Sequence, residues 1–468
     1  MIKHIFLTGS VLYLSGCTVG PDYKTPSQNF SDQWYSESKG ITTSKPINTQ
    51  WWKNFDDPLL NKYIARAAEN NKDLKIALAN VRSARALRRE QSGSFWPAIG
   101  ATTNAGRSKS IGTSTISTVS NTYDAGFDAS WEIDIFGGNR RSYEAANARL
   151  GLSQAEYQDV MLSTLSEVAR TYYEARGLQK RISITNKNTQ LLKATFTVIQ
   201  DRLNIGETSD FDLTRAQSEY ELTRARIPNL SAELKTSIYS LSVLLGQPPE
   251  TLLEEMKTIR PLPTPPDIVP IGLRSDILRR RPDIRAAERE LAASIADIGA
   301  ETASLFPKFF LTGEIGSKTQ LFGDLFSGAT GIWSLTSAIQ WSLFEGGAIR
   351  ARIEQKEAKS EAALAQFDKS ILEALRDAET ALTRYGEELE TRKRLAQGVE
   401  SLKKSATLAK ALYSAGEEDY LAVVDAERQL IASEDDLIIS ETDSITKLIA
   451  LYTALGGGWQ NTRDKNNV

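Results

Sequence analysis

The chain has almost none of the residues on which most enzyme and metal chemistry depends. Its 468 residues include one histidine, His4, and one cysteine, Cys17. Past residue 17 there is neither an imidazole nor a thiol. Ser-His-Asp triads, Cys-His nucleophiles and metal sites built on His or Cys are therefore excluded from the body of the protein. Only a carboxylate-based enzyme passes that filter, and the expectation is a non-enzyme with no catalytic residue, no metal and no cofactor. An excess of one charge is also missing: 56 Lys and Arg stand against 59 Asp and Glu, so there is no basic footprint for nucleic acid. No run of 18 apolar residues follows the N-terminus, so no segment reads as a membrane-spanning helix. Proline is absent between Pro97 and Pro228 and again after Pro307, which leaves both stretches free to form long regular elements.

What is present is a duplication. Asp73-Leu74-Lys75 with Ala77 is answered 210 positions later by Asp283-Ile284-Arg285 with Ala287. Pro97 returns as Pro307, and Gly206-Glu207 with Ala216-Gln217 return as Gly416-Glu417 with Ala426-Glu427, at the same 210 offset. Gly137-Gly138 returns as Gly346-Gly347, slipped by one. A constant offset held by several landmarks implies a repeated structural unit. An active site is usually single, so duplication favours a scaffold, a channel or an array.

The N-terminus reads as an address. Residues 1–16 have a short basic start and a short apolar run, a signal-peptide pattern too short to span a membrane. Leu14-Ser15-Gly16-Cys17 resembles the bacterial lipobox, so Cys17 is expected to be lipidated, and several acyl chains on one residue anchor firmly. Thr18 follows; the absence of Asp at that place points to the outer membrane.

The remaining chain divides by pattern. Residues 17–58 form a polar, proline-punctuated N-terminal segment, and 59–246 a first repeat. Residues 247–275, with seven of the fifteen prolines, form a linker. Residues 276–457 form a second repeat and 458–468 a tail. Each repeat opens with a helix: roughly 59–95, broken near Asn70-Asn71, and 282–305. Alternation of apolar and polar residues then predicts strands at about 98–106 and 122–135, and at about 308–316 and 331–343. Phe127, Trp131 and Ile133 alternate with Asp128, Ser130 and Glu132, and strands of this length suit a tilted bilayer crossing. Trp96, Trp131, Trp333, Trp341 and Phe306 suit an aromatic girdle. Ser/Thr/Gly-rich stretches at 107–121 and 317–330 are expected as exposed tips.

After each glycine pair the period becomes helical. Helices are expected over 139–203 and 348–413, each a rod of roughly 100 Å, with antiparallel partners over 209–245 and 419–455. Ile371, Leu375, Ala378, Leu382, Tyr385 and Leu389 form a heptad seam, and Pro228 is expected to kink its helix. Four spanning strands cannot close a barrel, and an open edge in lipid leaves backbone groups unpaired. The pattern therefore predicts a homo-oligomer: a strand barrel in the membrane continued by a tube of helices. Asp128, Glu132, Glu314 and Gln340 on the inward faces suit a water-filled lumen.

These residues resemble the outer-membrane efflux proteins, the TolC-like family, in its NodT-type lipoprotein branch. The resemblance is carried by Cys17-Thr18-Val19-Gly20-Pro21-Asp22-Tyr23, by Arg280-Arg281-Pro282-Asp283-Ile284-Arg285-Ala286-Ala287-Glu288, and by the two turns around Gly206 and Gly416. It implies a mainly α protein with a transmembrane β-barrel: four strands per protomer, a 12-stranded barrel in a homotrimer, and a periplasmic α-helical barrel. It also implies a role as exit duct of a tripartite efflux pump passing small molecules such as drugs. The implied partners are a periplasmic adaptor, an inner-membrane transporter and outer-membrane lipid. Alignment on the turn glycines puts Asp212, Asp425, Tyr413 and Glu418 at the periplasmic gate. Some family members lock the gate with a basic residue where this chain has Glu418, so any lock must use other groups. Arg202, Gly206, Glu207, Gly416 and Glu417 are the implied adaptor contacts. Two other functions stay open at this stage, a duct for protein secretion and a lipid-anchored coiled-coil scaffold without a pore.

Overall fold

The structure is a computed structural model and describes residues 18–27, 31, 33–35, 41–42, 48–111, 117–266 and 268–460. The signal-peptide and lipidation expectations, residues 1–16 and Cys17, lie outside the described residues, as does the tail from 461 onward. In chain order the elements are β1 (Ile41–Thr42), α1 (Pro58–Asn70), α2 (Lys72–Gly93), β2 (Ala98–Ile111), β3 (Ser117–Ile133), α3 (Gly138–Asn204) and α4 (Asp210–Leu244). Then follow β4 (Val269–Pro270), α5 (Ile277–Arg280), α6 (Pro282–Thr302), β5 (Lys308–Thr319), β6 (Gly331–Gln340), α7 (Ala348–Ala415) and α8 (Tyr420–Ala454). Among the described residues no helix is long and apolar enough to cross a membrane.

Packing groups the chain into two compact units, and each draws on both sequence repeats. The first holds 80–154 and 286–368 together with 18–27, and the second holds the rest.

The first unit contains an antiparallel sheet in the order β2-β3-β5-β6. The register sorts its side chains. Asp128 stands opposite Gly100 and Glu314, and Glu314 opposite Ser334. Directly opposed residues share a face, so Asp124, Asp128, Glu132, Thr312, Glu314, Lys318, Ser334, Thr336 and Gln340 make one mainly polar face, which also carries Phe310, Ile332 and Ala338. Phe127, Trp131, Ile133, Phe309, Leu311, Ile315, Trp333, Leu335 and Ile339 make the other. Much of that apolar face is bare: Trp333 is 79% exposed, Leu335 68% and Ile339 67%. The strands differ from expectation at their ends. Arg107 to Ser110 pair with Asn121 to Thr118, so β2 and β3 run through most of the segment expected as a loop, because cross-strand backbone bonds need no apolar side chain. Strand β3 stops at Ile133 and β6 at Gln340, short of 135 and 343. Just beyond β3, Asp134 accepts hydrogen bonds from the Arg140 backbone N–H and guanidinium instead.

Below the sheet the chain after residue 17 is strapped down. The Val19 N–H donates to the Phe136 carbonyl at 3.1 Å. Arg141, 4% exposed, donates to the Val19 and Gly20 carbonyls and to Asp22. Gly20 has φ +85°, and a Cβ there would lie 2.4 Å from the Gly299 Cα. The one-residue slip in the glycine pairs disappears in the backbone: Gly137 and Gly347, 210 apart, both take left-handed φ of +85° and +88°.

The second unit is helical. Asp57 caps α1 by accepting from the Leu59 and Leu60 N–H groups, and Leu60, Tyr63, Ile64 and Ala67 supply its buried stripe. The chain breaks at Asn71, whose side chain accepts from the Leu74 N–H and donates to the Leu244 carbonyl. Trp51 is fully buried, donates through Nε1 to the Gly457 carbonyl at 3.0 Å and stacks on Tyr452 at 5.4 Å. Helices α3 and α8 meet where Gly177 offers no side chain; a Cβ there would lie 2.3 Å from Thr442 Oγ1. Arg181 makes a paired contact with Asp435, at 2.7 and 2.9 Å. Helix α4 is continuous through Pro228. Pro228, where a kink is expected, lies inside the helix without ending it.

Candidate functional site

The paired turns at the ends of α3 and α7 are built alike. At the first, the Glu207 N–H donates to the Arg202 carbonyl at 2.9 Å and the Gly206 N–H to Leu203 at 3.0 Å. At the second, the Glu417 N–H donates to Leu412 at 3.0 Å and the Gly416 N–H to Tyr413 at 3.1 Å. Both are Schellman closures, which need a left-handed residue, and Gly206 and Gly416 supply φ of +81° and +76°. The next helix starts at once. Ser209 caps α4, and Asp419, 210 residues on, caps α8 by accepting from the Ala422 N–H at 3.2 Å.

The residues singled out at these turns take different parts. Asp212 closes a capping box: its Oδ2 accepts from Ser209 Oγ at 2.7 Å and Thr208 Oγ1 at 2.9 Å, while its N–H donates to Ser209 Oγ. Burial pushes its carboxyl pKa up, but the Ser209 and Thr208 hydrogen bonds and the Arg215 charge outweigh burial, and the net shift is downward. The carboxylate therefore stays charged and tied to its own helix start. Tyr413 packs between Tyr420, at 5.6 Å, and the Arg202 guanidinium, 5.0 Å above its ring. Arg202 thereby links the ends of α3 and α7. Tyr413 packs against a small core of Ile199, Ala216, Tyr420, Val423 and Val424, and burial raises the Tyr420 phenol pKa. Glu207, Glu417 and Glu418 are exposed.

Asp425 has a partner that the sequence reading missed. The Arg215 Nη2 lies 3.4 Å from Asp425 Oδ1 and joins α4 to α8. The two stand 210 residues apart, at the repeat offset, so equivalent positions of the two repeats carry opposite charge. That offset was the signal that could have found Arg215. Further ion pairs lie behind it, Arg428–Glu219 at 3.3 Å and Lys410–Glu427 at 2.6 Å. The arrangement makes a charged link between two helix hairpins. Among the described residues no cluster of His, Cys, Asp or Glu could hold a metal ion.

Comparison with known proteins places the whole chain. The solvent efflux pump outer membrane protein SrpC of Pseudomonas putida is 30% identical over 96% of this chain and 97% of its own length. The solved structure of the outer-membrane channel OprN superposes with a TM-score of 0.90 at 35% identity, covering 95% of this chain and all of that one. The open state of the Neisseria gonorrhoeae MtrE outer membrane channel superposes with a TM-score of 0.83 at 26% identity, over 95% of this chain and 99% of that one. The profile of the outer membrane efflux proteins matches residues 63–247 and 273–457, one match in each repeat. The chain belongs to the outer membrane efflux protein family.

Proposed function

We propose that this outer-membrane efflux duct works as a homotrimer that passes small molecules such as drugs, with a gate formed at the paired helix turns. The carrying observation is the open sheet. Strands β2 and β6 end it on either side, and its apolar face is exposed. A sheet in lipid must close to satisfy its edges. Three copies join β6 of one to β2 of the next and give twelve strands, with the face of Asp128, Glu132 and Glu314 around a wet lumen.

In this reading Asp425, with Arg215, is the latch of the gate. Asp212 and Tyr413 hold the helix starts and ends that carry it, and Glu418 adds negative charge at the rim. Arg202, Gly206, Glu207, Gly416 and Glu417 form the surface for a periplasmic adaptor, which connects to an inner-membrane transporter. Lipid on Cys17 complements the outer-membrane lipid around the barrel. The strap that holds Val19 to Phe136 supports this, because it keeps residue 18 beside the foot of β3.

The test is ion conductance of the detergent-solubilised protein in a planar bilayer, with its mass measured by light scattering. Discrete steps from a trimer are expected. A monomer without conductance would replace the duct with a lipid-anchored scaffold.

A further inference from the structure

The segment between β5 and β6 does not stand up as a free tip. It is folded back, and three contacts say onto which face. The Phe322 ring meets Tyr123 edge-on at 5.5 Å. Thr330 Oγ1 shares a 2.5 Å hydrogen bond with Ser317 Oγ. Leu325 and Phe326 border a hollow lined by Ala101, Ala125, Phe127 and Ile315, and Leu325 is 6% exposed. Tyr123, Ala125, Phe127, Ile315 and Ser317 alternate with the acidic residues along their strands, so all of them lie on the apolar face of the sheet. The fold-back is a built one. The Asp324 N–H donates to the Leu321 carbonyl at 3.0 Å, the Ser327 N–H to Asp324 at 3.0 Å, and Thr330 Oγ1 to the Asp324 carbonyl at 2.8 Å.

Having buried Leu325, the loop leaves other large apolar side chains outward. Leu321 and Phe322 are each 65% exposed and Phe326 is 85% exposed. Water-facing tips have no use for three such side chains together. The spacing along the strands suggests what covers them. Tyr123 is eight residues from Trp131 on β3, and at about 3.3 Å per residue this is roughly 26 Å of strand. A tilt of about 35–45° reduces it to roughly 20 Å, close to the apolar band of about 25 Å between the two aromatic girdles of a membrane barrel. Trp131 marks the lower level, and Tyr123 with the Phe322 ring packed on it marks the upper.

We propose that residues 320–330 are an outer-leaflet lipid anchor, a collar that seats Leu321, Phe322 and Phe326 at the boundary between acyl chains and headgroups. The segment then widens the apolar belt and does not cap the pore mouth, since it sits on the face opposite Asp128 and Glu314. This rests on the barrel reading above, and the experiment separates the two.

The full chain is reconstituted in phosphatidylcholine–phosphatidylglycerol vesicles with a nitroxide label at Phe322→Cys or at Phe326→Cys, and the unsubstituted chain serves as the blank for Cys17. Phe326 is 85% exposed and its replacement keeps the Phe322–Tyr123 contact, so the label at 326 reads the loop with that contact intact while the label at 322 gives it up. Power saturation compares collision with oxygen, which is enriched in lipid, and with a water-soluble nickel chelate. Labels at Ile339→Cys, on the apolar face, and Thr312→Cys, on the polar face, set the two limits. Oxygen-dominated collision at 322 and 326, as at 339, is expected. Nickel-dominated collision at 322 or 326 with oxygen dominance at 339 would overturn the anchor and leave the barrel standing. Nickel dominance at 339 as well would overturn both.

Discussion

Breaking the Arg215–Asp425 contact should open the duct. The two side chains are 26% and 52% exposed and make one contact of 3.4 Å. Pairs of that exposure contribute about 0.2–1 kcal/mol each. In a trimer whose three latches release together, the sum is roughly 0.6–3 kcal/mol, or about 3- to 150-fold in the ratio of closed to open channels. Asp425→Ala and Arg215→Ala should each raise open probability within that range in planar bilayers. The double variant should do no more than either single one, because the two side chains act as one link. The effect should shrink between about 0.1 M and about 1 M salt, where screening shortens from roughly 10 Å to roughly 3 Å. Exchanging the charges, Arg215→Asp with Asp425→Arg, should restore closure. Unchanged conductance in both single variants, or effects that add in the double, would refute the latch.

Four further outcomes follow from the same structure. Gly177→Val forces a side chain into Thr442 where a Cβ already has only 2.3 Å; it should destabilise the second unit by about 1–3 kcal/mol, read as a lower denaturation midpoint. Trp51→Ala removes a fully buried ring, its stack on Tyr452 and its bond to Gly457, and should cost about 3–5 kcal/mol; a loss under about 1 kcal/mol would contradict the packing. The Asp212 pKa is lowered in the folded chain, so its stabilisation is complete above the unfolded value near 3.9 and is lost as pH falls through the folded value. Amide exchange at the start of α4 should therefore quicken below about pH 4, and Asp212→Ala should abolish that dependence. Cys17→Ser should abolish metabolic labelling with palmitate, and persistent labelling would end the lipid-anchor reading.

The duplicated plan was legible because its landmarks are local. Glycines that must be left-handed recur at 206, 246, 416 and 456, two pairs each 210 apart, and all four take φ between +71° and +81°. Strand existence was legible from the two-residue period, whereas strand ends were not. Ser, Thr and Gly between 107 and 121 look like loop by composition, yet the neighbouring strand satisfies their backbone groups. The candidate site was half legible. Alignment on a turn glycine singled out Asp425, which the fold sets against Arg215. The capping box at Asp212 was legible too, since Ser209 stands three residues before it. Arg215 belongs to no turn or motif, and only its 210-residue offset from Asp425 marks it in the sequence.

The amino-acid order alone determined the absence of imidazole and thiol chemistry past residue 17, the doubled plan of strands and long helices, and the two-residue alternation of the strands. Those properties arise within a few residues, where backbone geometry sets a period of 2 or about 3.6. Only the tertiary structure decided which residues meet. It set Asp128 opposite Glu314, Arg215 against Asp425, Gly177 under Thr442 and the 320–330 segment against the apolar face. All but the last of these contacts join residues well over a hundred positions apart, and the last depends on how a loop settles on a finished sheet. Packing of completed elements selects such neighbours, and no short window of sequence contains that information.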